Sequence, residues 1–83
     1  MTPSEVVPKI VAEQALVPIT DVKSDTKIID DLKLDSLDMV EMVMEIEDAF
    51  GLDMDTGDEA FRKIVTVQDL IDYTEKRVKE EAT

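Results

Sequence analysis

Apolar side chains recur at three- and four-residue intervals through three stretches of the chain, which is the spacing of amphipathic helices. In the first, from Thr2 to Leu16, Val6, Val7, Ile10 and Val11 share a face with Gln14. Thr2-Pro3-Ser4-Glu5 fits a capping box with proline at the first helical position. Pro8 lacks an N–H and clashes one turn back, so this helix is either kinked near Ser4 or begins in earnest at Pro8. The second helix is expected to open at Asp35-Ser36-Leu37-Asp38, with Asp35 as N-cap, and to run to about Phe50, where Gly51 stops it. A short helical piece is expected around Asp58 to Lys63. The last helix opens at Thr66-Val67-Gln68-Asp69 and continues to about Lys79, burying Val67, Leu70, Ile71, Thr74 and Val78. Between the first two helices, 17–33 is a long connection. Its scattered apolar residues Val17, Ile19, Val22, Ile28, Ile29 and Leu32 are expected to anchor it across the core, with one short turn near Ile28. The predicted fold is all-α: a small four-helix bundle of three long helices and one short one.

The second helix carries more apolar residues than one buried stripe needs. Met39, Met42, Val43, Ile46, Ala49 and Phe50 make one coherent core face. Leu37, Val40 and Met44 remain, spaced i, i+3, i+7, and form a second stripe beside it. Acids surround that stripe: Asp35, Asp38, Glu41, Glu45, Glu47 and Asp48. From Leu34 to Phe61 the chain has ten acids and no lysine or arginine. Charge runs usually serve only to keep a face solvated. Exposed Leu, Val and Met inside a continuous acidic field instead suit docking to basic protein surfaces, where charge speeds encounter and the apolar stripe supplies contact area.

Composition narrows the chemistry further. The chain has 83 residues, enough for one domain (1–83). It contains no cysteine and no histidine. Disulfides, thiol chemistry, His-dependent nucleophilic catalysis and Cys/His metal sites are therefore excluded. No catalytic residue and no metal ligand set is expected, and the protein is not expected to be an enzyme. The net charge of −12 repels phosphate backbones and anionic membrane surfaces, so neither nucleic acid nor membrane is an expected partner. No apolar run approaches the roughly 18 residues of a membrane span. Met1-Thr2-Pro3-Ser4-Glu5 has no basic region leading into an apolar stretch, so no signal peptide is expected and the protein reads as cytoplasmic, or as the mature form of an organelle protein. A monomer is expected.

Ser36 stands just inside the start of the acidic helix. A serine there is most often the cap itself. Asp35 immediately before it weakens that reading: if the aspartate caps, the Ser36 hydroxyl is free to face water at a helix end that favours negative charge, a good place to attach a phosphate. Asp35-Ser36-Leu37-Asp38, followed by Met39-Val40-Glu41-Met42-Val43-Met44-Glu45-Ile46-Glu47-Asp48, resembles the signature of acyl carrier proteins, most closely the freestanding carriers of type II fatty acid synthesis. The likeness extends to Asp30-Asp31-Leu32, Ala49-Phe50 and Thr66-Val67-Gln68-Asp69-Leu70-Ile71-Asp72-Tyr73, nearly the whole chain. It implies that Ser36 receives 4′-phosphopantetheine from coenzyme A, whose thiol then carries acyl groups as thioesters. It implies a sheltering cavity lined by Val43, Ile46, Phe50, Ile64 and Leu70. It also implies partner recognition through Asp35, Leu37, Asp38, Val40, Glu41, Met44, Glu47 and Asp48. The partners would be a phosphopantetheinyl transferase and enzymes of fatty acid synthesis, or other acyl-processing enzymes, with basic docking patches.

The chain departs from that family in places. Lys33-Leu34 stands where many fatty-acid carriers have Gly-Ala, 54–63 is one or two residues longer than usual, and Phe61 and Pro8 are unexpected. These departures bear on which acyl chain and pathway are served; polyketide, peptidyl, lipid A and alanyl carriers are the alternatives. Two further rivals differ in kind. An EF-hand over Asp53–Ile64 fails because Gly57 and Asp58 occupy its fifth and sixth positions and Ile64 its twelfth, where glutamate is required. A purely structural module would bind through the acidic helix and carry nothing.

Overall fold

The computed structural model describes residues 2–54 and 56–81. Among the described residues, four α-helices run in order: α1 (Pro3–Ala15), α2 (Ser36–Phe50), α3 (Glu59–Arg62) and α4 (Val67–Glu81), with a 3-10 turn at Ile19–Asp21. Helix α1 packs against both α2 and α4. Val7, Ile10 and Val11 of α1 meet Met39, Met42, Val43 and Ile46 of α2 and Val67, Leu70, Ile71 and Tyr73 of α4 in one buried cluster. Among the described residues no helix is long and apolar enough to cross a membrane.

Pro8 does not break α1, which is helical from Pro3 to Ala15. The N–H that Pro8 lacks would have met the carbonyl of Ser4, so the lost bond falls in the first turn of the helix, at an exposed residue. The expected capping box is not formed, although proline does stand at the first helical position. Thr2 is the N-cap and Pro3 follows it, but the Thr2 hydroxyl donates to Glu5 Oε1 at 2.9 Å and caps no backbone N–H.

The connection between α1 and α2 is held most firmly at its middle. Ile28 is fully buried, and Val22 and Leu32 pack against the core. Ile19 and Ile29, expected as anchors, are instead 47% and 52% exposed. The pin is a backbone clamp on the segment leading into α4. Ile28 N–H donates to the Val65 carbonyl, Val67 N–H to the Thr26 carbonyl and Gln68 N–H to the Ser24 carbonyl, each at 2.9 Å. Lys27 and Thr66 form an isolated antiparallel bridge at the centre of this clamp. The Cα radius of gyration is 11.7 Å. A compact chain of this length is expected near 12 Å, so the connection lies against the bundle.

Helices α2 and α3 occupy the predicted places. Gly51 closes α2 in the left-handed conformation at φ 62°, with its N–H on the Glu47 carbonyl. Asp58 caps α3 through the Ala60 N–H. Phe61, unexpected in the sequence, sets its ring edge-on to Tyr73 of α4 at a centroid separation of 6.0 Å, a favourable aromatic geometry that seats the short helix. Tyr73 belongs to the α4 core face, which the predicted stripe omitted, whereas Val78 is only partly buried.

Candidate functional site: the start of helix α2

The chain enters α2 through two residues with opposite duties. Lys33 takes a left-handed backbone conformation at φ 61°, and Leu34 then turns inward and is buried. Asp35 follows as N-cap in extended conformation. Its Oδ1 accepts the Asp38 N–H at 2.9 Å, and Asp38 Oδ2 accepts the Asp35 N–H at 3.0 Å, so the two carboxylates cap the helix reciprocally. The other oxygen of Asp38 accepts from Gln14 Nε2 on α1 at 2.9 Å. The Asp35 backbone N–H first, and the Gln14 amide second, hold the Asp38 carboxyl below the ordinary carboxylate value; partial burial opposes them. Asp38 thus stays charged through mildly acidic conditions.

Ser36 is the first helical residue and is exposed. Because Asp35 has taken the capping role, the Ser36 hydroxyl has no hydrogen-bond partner among the described residues. The backbone N–H groups of Ser36 and Leu37 likewise meet no protein acceptor there. An exposed, uncommitted hydroxyl beside two open N–H groups fits a covalently attached phosphodiester. The positive end of a 15-residue helix favours that charge by roughly 0.3–1 kcal/mol.

The remaining predicted residues divide into an outward face and its flanks. Leu37, Val40 and Met44 are 65%, 42% and 58% exposed, so the second apolar stripe lies on the surface. Glu41 and Asp48 are exposed and, by helical spacing, share its face. Asp35 is exposed at the cap. Asp38 and Glu47 stand apart: both are half-buried, Asp38 tied to Gln14 and Glu47 accepting the Met54 N–H at 2.8 Å to hold the loop after α2. Of the residues implied as cavity lining, Val43, Ile46 and Leu70 are buried in the core, while Phe50 and Ile64 pack against it partly exposed. Ile64 also lines a surface pocket with Lys27, Ile29, Asp30 and Val65.

Sequence reasoning placed Gln14 on the inner face of α1 and missed its partner. The available signal was a lone amide among apolar neighbours, since a buried amide needs an acceptor. The structure supplies one at the capping acid of the next helix.

A family model described as phosphopantetheine attachment site matches residues 5–74, a span from the first turns of α1 to Thr74 of α4 with Ser36 inside it.

Proposed function

Because the chain belongs to the phosphopantetheine-attachment family of carrier proteins, we propose that Ser36 is the attachment residue and that the protein carries acyl intermediates of fatty acid biosynthesis. The family holds 4′-phosphopantetheine covalently, and its members are carriers, not catalysts. When bound, that group supplies a terminal thiol for thioester chemistry, which a chain without cysteine cannot otherwise perform. The observation that carries the assignment to Ser36 is its exposed, unbonded hydroxyl at the first position of α2.

The chain's own residues have three tasks in this reading. Asp35 and Asp38 cap the helix, so the Ser36 Oγ remains available as a nucleophile. Attachment forms the bond from that oxygen to the pantetheine-side phosphorus of coenzyme A and breaks the pyrophosphate linkage. Adenosine bisphosphate leaves with the electron pair, and the hydroxyl proton passes to a base on the transferase. Leu37, Val40 and Met44, bordered by Glu41 and Asp48, then present an apolar strip in an acidic field to enzymes with basic docking patches. The net charge of −12 also keeps copies apart, in line with a monomeric, single-domain carrier acting in the cytoplasm.

Incubation of the purified chain with coenzyme A and a phosphopantetheinyl transferase tests this directly. The expected result is a mass gain of about 340 Da, that of the cofactor arm, absent from Ser36→Ala, whose melting curve stays that of the parent. No gain, or a gain that survives Ser36→Ala, overturns the assignment. Lys33-Leu34 in place of Gly-Ala favours a second reading, a carrier of a specialised pathway such as polyketide, peptidyl, lipid A or alanyl transfer. The acyl group found on protein isolated from its native cell separates the two.

A further inference from the structure

We propose that Gln14 of α1 is a positioning residue for attachment at Ser36, acting through Asp38 to hold the first turn of α2 in one place. The inference rests on the carrier reading of Ser36. A helix start is its least constrained part, because its first N–H groups have no intrahelical acceptors. In α2 the first turn also has little packing of its own. Asp35, Ser36 and Leu37 are exposed, and the first buried residues are Leu34 before it and Met39 after it. Between those two points, the described hydrogen bond from this turn to another helix is the 2.9 Å bond from Gln14 Nε2 to Asp38 Oδ1.

The division of the Asp38 carboxylate makes this bond a mechanical link. One oxygen holds the Asp35 backbone at 3.0 Å while the other is held from α1, so the backbone on either side of Ser36 is clamped to the body of the bundle. Gln14 sits on the inner face of α1, one turn after Ile10 and three residues after Val11, both buried. An apolar side chain would pack at such a half-buried place without the cost of partly desolvating an amide. What the amide adds is a fixed distance to a particular carboxylate. A transferase must receive the Ser36 oxygen to within roughly half an ångström, so a turn that frays presents its nucleophile in the right place less of the time.

The experiment uses the unmodified full chain, with Gln14→Met (same length, no donor) and Gln14→Glu (same shape, a second carboxylate facing Asp38). Loading kinetics with coenzyme A and a phosphopantetheinyl transferase are expected to show kcat reduced about 5- to 10-fold in Gln14→Met, with KM within about twofold, and a loss at least as large in Gln14→Glu. Hydrogen exchange gives a readout independent of loading. The Asp38 amide should exchange about tenfold faster in Gln14→Met, while the Ile46 amide in mid-helix keeps its protection. In an Asp38→Ala background, Gln14→Met should cause no further loss of rate. Unchanged kcat in Gln14→Met, or exchange that rises equally at Asp38 and Ile46, overturns the proposal in favour of plain packing. A wild-type chain that takes up no cofactor overturns the carrier reading; a loaded wild type with indifferent Gln14 variants overturns this inference alone.

Discussion

Helices α2 and α4 begin with the same chemical device. At the start of α2, Asp35 and Asp38 exchange hydrogen bonds between side chain and backbone. At the start of α4, Thr66 Oγ1 accepts the Asp69 N–H at 3.1 Å and Asp69 Oδ2 accepts the Thr66 N–H at 3.0 Å. The surroundings then diverge. The next N–H groups of α4, on Val67 and Gln68, are consumed by the carbonyls of Thr26 and Ser24, and Val67 is buried. The corresponding groups of α2, on the exposed Ser36 and Leu37, have no protein acceptor among the described residues. One helix start is closed by the long connection and serves the fold; the other, where the proposed attachment residue stands, is left open. Capping alone does not mark a site. What matters is whether the rest of the chain covers the cap.

The largest test of this contrast is at Ile28, the buried residue of the clamp that closes α4. Ile28→Ala is expected to cost about 3 kcal/mol in urea unfolding, a large part of the stability of a chain this size. Leu37→Ala, one step into the open start, should stay within about 0.5 kcal/mol of the parent. Similar losses at both positions would erase the distinction.

A smaller effect is expected at the caps. Asp69 accepts from both Val65 and Thr66 N–H groups, and Asp69→Ala should cost about 2 kcal/mol. Asp35→Ala, which removes the acceptor of one N–H, should cost less. The pH dependence sharpens this. The Thr66 and Val65 backbone N–H groups hold the Asp69 carboxyl below its ordinary value. Its contribution is therefore complete above the usual carboxylate range, near pH 4–5, and is lost as pH falls through the lowered value. Asp69→Ala should flatten the acid limb of the stability curve; an unchanged limb would mean that the cap titrates without consequence.

The smallest effect is at Lys33, just before the open start. Its left-handed backbone is one that glycine adopts freely and lysine does not. Lys33→Gly should stabilise the chain by about 0.5 kcal/mol, relief of strain being partly offset by the greater freedom of glycine in the unfolded state. A loss of stability would show that the lysine side chain contributes more than its backbone costs.

These contrasts also explain what could be read from the sequence. Helix α2 was legible in full because its signals are local: Asp35 before it, Gly51 after it, and a period that separates Met39, Met42, Val43 and Ile46 from Leu37, Val40 and Met44. The exposure of Ser36 was legible once Asp35 was read as the cap, whereas its proposed role came from the family resemblance. The connection was legible only in outline. Without a period, Ile28 could not be told from Ile19 or Ile29, and only Ile28 is buried, because only it pairs with Val65. The clamp joins Ser24 and Thr26 to residues some forty positions later, and the Gln14–Asp38 bond spans 24. No local rule reaches that far.

The edge-on contact between Phe61 and Tyr73 has a practical consequence. Tyr73 is the sole tyrosine, and the chain has no tryptophan. Its near-ultraviolet signal therefore arises at the joint between the short helix and the bundle. The protein thus carries an intrinsic optical reporter at the seat of α3, through which any cargo or enzyme that lifts that helix can be followed without a label.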